Sequence, residues 1–197
     1  MKKKIVVPQV WLGKDVKYTR GRKDNALTAA EYHTKMQLPT LAELRHAFFG
    51  KNLDGSFVSD DYRQSVLSKR GYGEWTSTFL QDGKLVIERP ERVFCYEKHG
   101  LRIAEGGKVT KVELPPVGWT LEYDNPTGFP SRTSQKREDA EKVFGDDTSY
   151  FYYSDNGLRA VLRCFDRSDI GPFYVDADFV PDSWGWGFGG RECRRSE

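Results

Sequence analysis

Residues 26–50, ALTAAEYHTKMQLPTLAELRHAFFG, contain two helix-start signals in succession. Thr28 is followed three residues later by Glu31, and Thr40 is followed in the same way by Glu43. This spacing is the capping box, in which each of two side chains satisfies a backbone N–H that would otherwise lack a partner at the start of a helix. The sequence therefore predicts a helix after each of the two threonines.

The first of these helices is predicted at about 29–36 and the second at 41–49, where Gly50 is placed to end it. A third helix is expected in DDYRQSVLSKR after Ser59, because acidic residues fall in its first turn and basic residues in its last. A short fourth helix is predicted in REDAEKVFG at 137–145. Three of the four predicted helices therefore lie before Gly71.

From Trp75 onward the pattern changes to short β-branched or aromatic runs separated by Gly, Pro and Asp, which is typical of antiparallel strands and hairpins. These runs are WTSTFL, KLVIE, RVFCYE, LRIA and KVTKVEL. A first strand is expected in IVVPQVWLGKDV near the N-terminus, whereas 115–135 reads as a long loop or an insertion. Apart from this first strand, the helices precede a strand-rich half, so the predicted class is α+β.

Length and charge limit the function classes. The 197 residues predict a single domain, 1–197, with one substantial core. The 31 basic and 29 acidic side chains nearly cancel, so no overall field would recruit nucleic acid. The N-terminal apolar stretch is interrupted by Pro8, and no apolar run reaches the length of a membrane span, so we expect neither an export signal nor a transmembrane segment. The location stays open among the cytoplasm, a virion and a cell surface.

Residues suited to metal binding or catalysis are sparse. Cys95, Cys164 and Cys193 lack the close spacing of a zinc site or a redox pair, and their odd number argues against a fully disulfide-bonded scaffold. Buried thiols are expected, and a bond between Cys164 and Cys193 stays open. The three histidines show no metal-ligand spacing, and no phosphate-binding glycine loop is present. We therefore predict no metal, no cofactor and no catalytic residue.

The C-terminal part of the chain uses a different set of residue types. All fifteen lysines lie in 1–142, and residues 143–191 contain no Lys, Glu, Gln or Met. Tyr, Phe, Ser, Asp, Gly, Asn and Arg predominate there, which is typical of binding paratopes. An all-β segment would show a similar bias, because the missing residues are good helix formers and aromatic residues favour strands. Composition alone leaves both interpretations open.

Four segments, in order, resemble the formylglycine-generating-enzyme branch of the C-type lectin fold. LPTLAELRHAFFG is similar to the R-L-P-T-x-x-E-W signature of that branch, and Glu74-Trp75-Thr76-Ser77 resembles its E-W-T-S strand. LRAVLRCF stands where the branch has V-L-R-G-G-S-W, and GWGFGGREC stands where it closes with G-F-R. The resemblance implies a C-type lectin-like fold with two or three N-terminal helices, a small antiparallel sheet and extensive loops, in which the N- and C-terminal strands meet.

The same resemblance bears on chemistry. Catalytic members of the branch need a pair of closely spaced cysteines near the C-terminus, whereas Cys164 and Cys193 are twenty-nine residues apart. Sugar-binding C-type lectins hold calcium through E-P-N or Q-P-D followed by W-N-D, and neither loop occurs in this sequence. The sequence therefore supports neither formylglycine chemistry nor calcium-dependent sugar binding.

Diversity-generating retroelements diversify the C-terminal part of C-type-lectin-fold proteins, many of them similar to this branch. In that family the mutated codons are mostly asparagine codons changed at adenines, which cannot become Lys, Glu, Gln, Met or Trp. The resemblance thus implies a non-enzymatic receptor- or adhesion-type protein that binds a protein or surface ligand through a variable region at about 148–191. Two alternatives stay open: an enzyme relative of the formylglycine-generating branch, and a structural domain of a viral or cell-surface assembly.

The ligand contacts are expected among the aromatic and charged side chains between Tyr150 and Ser183. They are Tyr152, Tyr153, Asp155, Phe165, Asp166, Arg167, Asp169, Phe173, Tyr174, Asp176 and Asp178. Alternate side chains of a strand face opposite sides, so some of these must point inward, and the sequence does not fix the register. Three of the aromatic residues are each as readily core residues: Phe165, Phe173 and Tyr174. The set as a whole is expected to form one contiguous, solvent-accessible patch.

Overall fold

The computed structural model describes residues 10–18, 38–68, 72–96, 101–165, 170–181 and 188–195. The helices in these ranges are α1 (Leu41–Phe49), α2 (Asp60–Ser68) and α3 (Arg137–Phe144). The strands are β1 (Val10–Tyr18), β2 (Tyr72–Gln81), β3 (Leu85–Glu88), β4 (Arg92–Tyr96), β5 (Leu101–Glu105), β6 (Lys108–Lys111), β7 (Gly118–Glu122), β8 (Arg132–Ser134), β9 (Tyr150–Tyr153), β10 (Leu158–Phe165), β11 (Tyr174–Phe179) and β12 (Phe188–Arg195). None of the described helices is long and apolar enough to cross a membrane.

Helix α1 begins where the sequence predicts. The backbone N–H of Glu43 donates to Thr40 Oγ1 at 3.2 Å, and the backbone N–H of Thr40 donates to Glu43 Oε2 at 2.8 Å. Both halves of the capping box are therefore present. The positions of α2 and α3 also confirm the predictions for DDYRQSVLSKR and REDAEKVFG. The helix predicted at 29–36 lies outside the described residues.

One curled, mixed sheet of ten strands dominates the described residues. Eight strands are neighbours in the order β1–β12–β2–β10–β11–β9–β7–β8, while β3 pairs with β2 and β6 pairs with β3. Two of the pairs are parallel, β9 with β11 and β2 with β12. Strands β4 and β5 form a separate antiparallel hairpin. Because β1 pairs with β12, the N- and C-terminal strands meet as expected.

The expected C-type lectin-like architecture, with a small antiparallel sheet and extensive loops, is therefore wrong. The sheet is large, mixed in direction and curled into a half-barrel. Strands β7 and β8 lie within 115–135, which was interpreted as a loop or an insertion, and β9 to β12 all join the same sheet. An alternating pattern identifies a strand but not its partner, so local sequence cannot reveal how many strands share a sheet or which pairs run parallel.

The sheet separates two apolar clusters, because successive side chains of a strand point to opposite faces. On one face, which we call the helix face, Leu80 and Val161 pack with residues of α1 and α2. On the other face, the hairpin face, Trp75 and Leu162 form a smaller cluster against which the β4–β5 hairpin packs Val93. Val161 and Leu162 are both fully buried, as predicted for residues that anchor the fold.

A buried ion cluster ties α2, β2, β10 and β12 together on the helix face. Glu74 accepts from Arg191 Nε at 2.9 Å and lies 3.0 Å from Arg163 Nη2. Tyr62 Oη donates to the second oxygen of Glu74 at 3.1 Å, and Arg191 Nη2 donates to Ser65 Oγ at 2.9 Å. Burial alone would raise the pKa of Glu74, but the two guanidinium groups outweigh it and hold that pKa below its ordinary value. The cluster fixes the positions of four elements around one carboxylate.

Candidate functional site

Over β7, β9 and β11 the hairpin face carries exposed and half-exposed side chains. Strands β9 and β11 are parallel neighbours, with Val175 opposite Phe151 and Asp176 opposite Tyr152. Phe151 and Val175 are core residues of the helix face, so their sequence neighbours point the other way. The side chains that therefore point to the hairpin face are Tyr150, Tyr152, Tyr174 and Asp176.

Aromatic rings form a row across this part of the hairpin face. The ring centroid of Trp119 on β7 lies 5.2 Å from that of Tyr150, nearly edge-to-face at 81°, and Tyr150 lies 6.1 Å from Tyr174. The guanidinium carbon of Arg137 stands 5.3 Å from the Trp119 centroid and borders the row. We define the aromatic–acidic surface as Trp119, Tyr150, Tyr152, Tyr174, Asp176 and Asp178.

The acidic part of the aromatic–acidic surface is centred on Asp176. Tyr174 Oη donates to Asp176 Oδ2 at 2.9 Å, and the backbone N–H of Asp178 donates to Asp176 Oδ1 at 3.0 Å. Partial burial raises the pKa of Asp176, these two hydrogen bonds offset the rise only in part, and the charge of Asp178 adds to it. Burial and the neighbouring carboxylate also raise the pKa of Tyr174, so its hydroxyl stays a proton donor.

The structure brings together four of the residues predicted from sequence: Tyr152, Tyr174, Asp176 and Asp178. Tyr152 is 41% exposed and Asp178 is exposed, whereas Tyr174 and Asp176 are half-buried. Tyr153 is half-buried and stacks on Phe151, with centroids 5.2 Å apart, so it belongs to the helix face and not to the aromatic–acidic surface.

Asp155 is exposed in the turn 154–157, which is fastened to the hairpin turn between β2 and β3. The backbone N–H of Asp82 donates to the Gly157 carbonyl at 3.0 Å, and the N–H of Gly157 donates to Asp82 Oδ1 at 2.8 Å. Asp82 and Gly83 both have positive φ, 50° and 63°, as the Asp-Gly turn signal predicts. The backbone two residues after Asp155 is thereby held by two hydrogen bonds, both at Gly157.

Phe173 is a correction to the predicted contact residues. It is fully buried on the helix face, where its ring centroid lies 5.3 Å from those of both Phe48 and Phe49. Phe173 immediately precedes β11 and fills the space beside α1, so a ligand cannot reach it. Of the remaining predicted contacts, Phe165 ends β10 with a side chain outside those described, and Asp166, Arg167 and Asp169 lie outside the described residues.

Two members of the aromatic–acidic surface were missed by the sequence reasoning. Trp119 lies in the segment interpreted as a loop or an insertion, and Tyr150 marks only the start of the segment in which ligand contacts are expected. A signal was present for both. GWTLE and YFYY are short runs of β-forming residues, and alternation within YFYY places Tyr150 on the same side as Tyr152.

The two cysteines whose side chains the structure describes are buried. Cys164 is 7% exposed and Cys193 is 3% exposed, and neither forms a disulfide. The Cys193 thiol donates to Glu43 Oε2 at 3.9 Å. Among the residues that the structure describes, no three His, Cys, Asp or Glu side chains are grouped closely enough to hold a metal ion.

Comparisons with protein-family models, with curated proteins and with solved structures find no match to this chain. The resemblance to the formylglycine-generating branch and to retroelement variable proteins therefore rests on the quoted segments alone. The geometry of the aromatic–acidic surface is the observation that bears most directly on what the protein does.

Proposed function

We propose that the protein is a non-enzymatic ligand-binding protein of the receptor or adhesion type. The observation that carries the proposal is that Tyr150, Tyr152, Tyr174, Asp176 and Asp178, all from the region at about 148–191, adjoin one another on two neighbouring strands. Tyrosine rings supply contact area at low rotamer entropy, and carboxylates supply directed polar contacts. The surface therefore suits a protein or another large ligand, whose binding needs a broad contact area.

The placement of the aromatic–acidic surface separates binding from folding. Strands β9 and β11 are held from the helix face by Phe151, Val175 and Ala177, each of which is fully buried. Side chains on the opposite side of the same two strands can change while these anchors stay constant. A rigid scaffold with one changeable face is the arrangement expected of a variable binding protein.

The chemistry of the surface favours a ligand with basic groups. Asp176 and Asp178 lie together beside the aromatic row, and the pKa of Asp176 is raised by burial and, to a smaller extent, by the charge of Asp178. A guanidinium or ammonium group would lie near the carboxylates and could also stack on tyrosine. We expect such a partner to lose affinity as salt rises, because screening weakens interactions between partly exposed charges.

The set of residue types found in 143–191 supports diversification by a retroelement as the origin of this surface. The segment lacks Lys, Glu, Gln and Met, which mutation of asparagine codons at adenines cannot produce. A second copy of the coding segment elsewhere in the genome, differing at adenines and adjacent to a reverse-transcriptase gene, would support this origin. Copies that differ at all four bases would contradict it, and the ligand-binding role could still stand on other evidence.

Two display libraries of equal size test the binding role. One library varies the five residues of the aromatic–acidic surface that lie in 148–191: Tyr150, Tyr152, Tyr174, Asp176 and Asp178. Each position receives the residue types that asparagine codons mutated at adenines can encode. The matched control varies five exposed residues elsewhere: Leu53, Val109, Lys111, Glu141 and Val143. We expect both libraries to display folded protein and the first to yield binders to an arbitrary basic protein far more often. Equal yields, or a first library that fails to fold, would contradict the proposal.

A further inference from the structure

A cleft separate from the aromatic–acidic surface opens between the end of α1, the end of β7 and the end of α3. Its volume is about 370 Å³, within the range of clefts that hold small molecules. The residues that define its chemistry are Arg45, His46, Phe49, Glu122, Tyr123 and Phe144. None of them belongs to the aromatic–acidic surface, so the cleft is a second site in its own right.

The walls of the cleft are aromatic. The ring centroid of Phe49 lies 5.6 Å from that of Tyr123 and 5.6 Å from that of Phe144, and Tyr123 lies 6.1 Å from Phe144. The Tyr123 hydroxyl is 2.8 Å from Ser149 Oγ, so that ring is fixed from behind. At these distances the three rings contact one another and form one continuous apolar wall, against which a flat, apolar group can lie.

One cation faces this aromatic space. Arg45 Nη1 donates to the Tyr123 carbonyl at 2.9 Å, and the guanidinium carbon lies 5.1 Å from the Tyr123 ring centroid. Arg45 Nε is buried, and no acceptor among the described residues lies within hydrogen-bond distance of it. Burial lowers the pKa of Arg45, while Tyr123 and the exposed Asp124 raise it in part. A guanidinium has five N–H donors in one plane, and the described residues accept from Nη1. Arg45 can therefore donate to a planar acceptor such as a carboxylate.

The other ionisable groups of the cleft do not cancel that cation. Burial, followed by the charge of Arg45, lowers the pKa of His46, so its imidazole is neutral near pH 7. Glu122, which also lines the cleft, lies 3.9 Å from Arg132 Nε, and this exposed arginine offsets part of its charge. Asp124 lies outside the lining and acts on Arg45 through its charge. The cleft therefore combines an aromatic wall with one guanidinium that favours an anion.

We propose that this cleft binds a small ligand that carries a flat apolar group and a carboxylate. The flat group lies against the wall formed by Phe49, Tyr123 and Phe144, and the carboxylate accepts from Arg45. The proposal does not depend on the ligand-binding role of the aromatic–acidic surface, because the two sites share no residue. Either one can fail without the other.

Benzoate and its neutral analogue benzamide test the proposal on the unaltered protein. Amide resonances of a labelled sample are followed during titration, and Kd is obtained from the shifts. A ligand this small should bind with a Kd on the order of 1–10 mM. We expect shifts confined to the ends of α1, β7 and α3, and benzoate binding about tenfold more tightly than benzamide. Equal binding of the two probes, shifts elsewhere, or no shift would overturn the proposal.

Two matched arginine variants show whether the carboxylate contacts Arg45. Both Arg45 and Arg137 lie over an aromatic ring, at 5.1 Å and 5.3 Å, but only Arg45 lines the cleft. Arg45→Gln should weaken benzoate binding about tenfold and leave benzamide binding unchanged, whereas Arg137→Gln should change neither. Equal loss for both probes in Arg45→Gln would contradict the carboxylate contact. If that variant does not fold, the comparison of probes on the unaltered protein decides the matter.

Discussion

Two tyrosine–carboxylate pairs in this protein form the same hydrogen bond in opposite electrostatic settings. Tyr62 donates to Glu74 at 3.1 Å, and Tyr174 donates to Asp176 at 2.9 Å. Glu74 is fully buried yet has a lowered pKa, whereas Asp176 is only partly buried and has a raised one. The difference comes from cations, because two arginines contact Glu74 and no cation among the described residues contacts Asp176.

This comparison separates a structural carboxylate from one suited to binding. The charge of Glu74 is compensated inside the protein, so its hydrogen bonds join elements of the fold. Among the described residues, only neutral groups donate hydrogen bonds to Asp176. A cationic group of a ligand would therefore stabilise its charged form. If burial alone decided the pKa, Glu74 would have the higher value and Asp176 the lower one.

The largest expected effect is that of removing the charge of Glu74. Glu74→Gln leaves two buried guanidinium groups without their carboxylate, so we expect the free energy of unfolding to fall by about 3–5 kcal/mol. Urea denaturation measures the change. The matched control is Glu141→Gln, which removes an exposed pair with Arg137 on one helix and should cost about 0.5 kcal/mol or less. Similar losses in both variants would show that the buried cluster is not structural.

The contribution of Glu74 to stability should depend on pH. Because the folded-state pKa of Glu74 is lowered, its contribution is present above the ordinary carboxyl pKa of 4.5 and is lost as the pH falls through the folded-state value. The stability difference between the unaltered protein and Glu74→Gln should therefore be constant near neutral pH and shrink on acidification below about pH 4.5. Urea denaturation repeated from pH 7 to 3 tests this, and a difference that grew on acidification would contradict it.

Removing the charge of Asp176 should change stability in the opposite direction to removing that of Glu74, and by less. Its raised pKa means that the charged form weakens the fold, so Asp176→Asn should stabilise the protein at neutral pH by at most about 1 kcal/mol. The asparagine carbonyl can accept from Asp178 N–H, and the Tyr174 hydroxyl can rotate to accept from the amide. The gain should disappear as the pH falls below the ordinary carboxyl pKa of 3.8. Thermal melting at several pH values measures it, and destabilisation at pH 7 would refute this assignment.

The smallest effect is expected at Tyr152. Its side chain is 41% exposed on the aromatic–acidic surface, so Tyr152→Ala should change stability by within about 0.5 kcal/mol. Its neighbour Phe151 points to the helix face and is fully buried, so Phe151→Ala should cost about 3–5 kcal/mol. The two variants remove aromatic rings from neighbouring residues that point to opposite sides of the same strand. Equal losses in urea denaturation would mean that β9 does not separate binding from folding.

Features set by neighbouring residues could be predicted from the sequence, and features set by distant residues could not. The capping box of α1 involves Thr40 and Glu43, three residues apart, so its chemistry is visible in the sequence. The ion cluster joins Glu74 to Arg191, 117 residues away, and no local pattern connects them. The order of the sheet has the same origin, because strand partners are chosen by packing across the whole domain.

For the aromatic–acidic surface, too, only local properties could be predicted from the sequence. Its residue types and its region of the chain were found, because a change of composition is a local property. The register was not, so Phe173 was grouped with exposed residues although it lies in the core beside α1. Trp119 was missed because it comes from a distant segment, and only the pairing of β7 with β9 brings it beside Tyr150.

The fastening of the turn 154–157 to Asp82 has a consequence for the thermodynamics of binding. A flexible loop loses backbone conformational entropy when a ligand immobilises it, and that loss reduces affinity. Here two hydrogen bonds between Asp82 and Gly157 have already restricted the backbone around Asp155 in the free protein. A ligand that contacts Asp155 would order mainly one short side chain, so the turn is preorganised while the residue it displays remains free to differ.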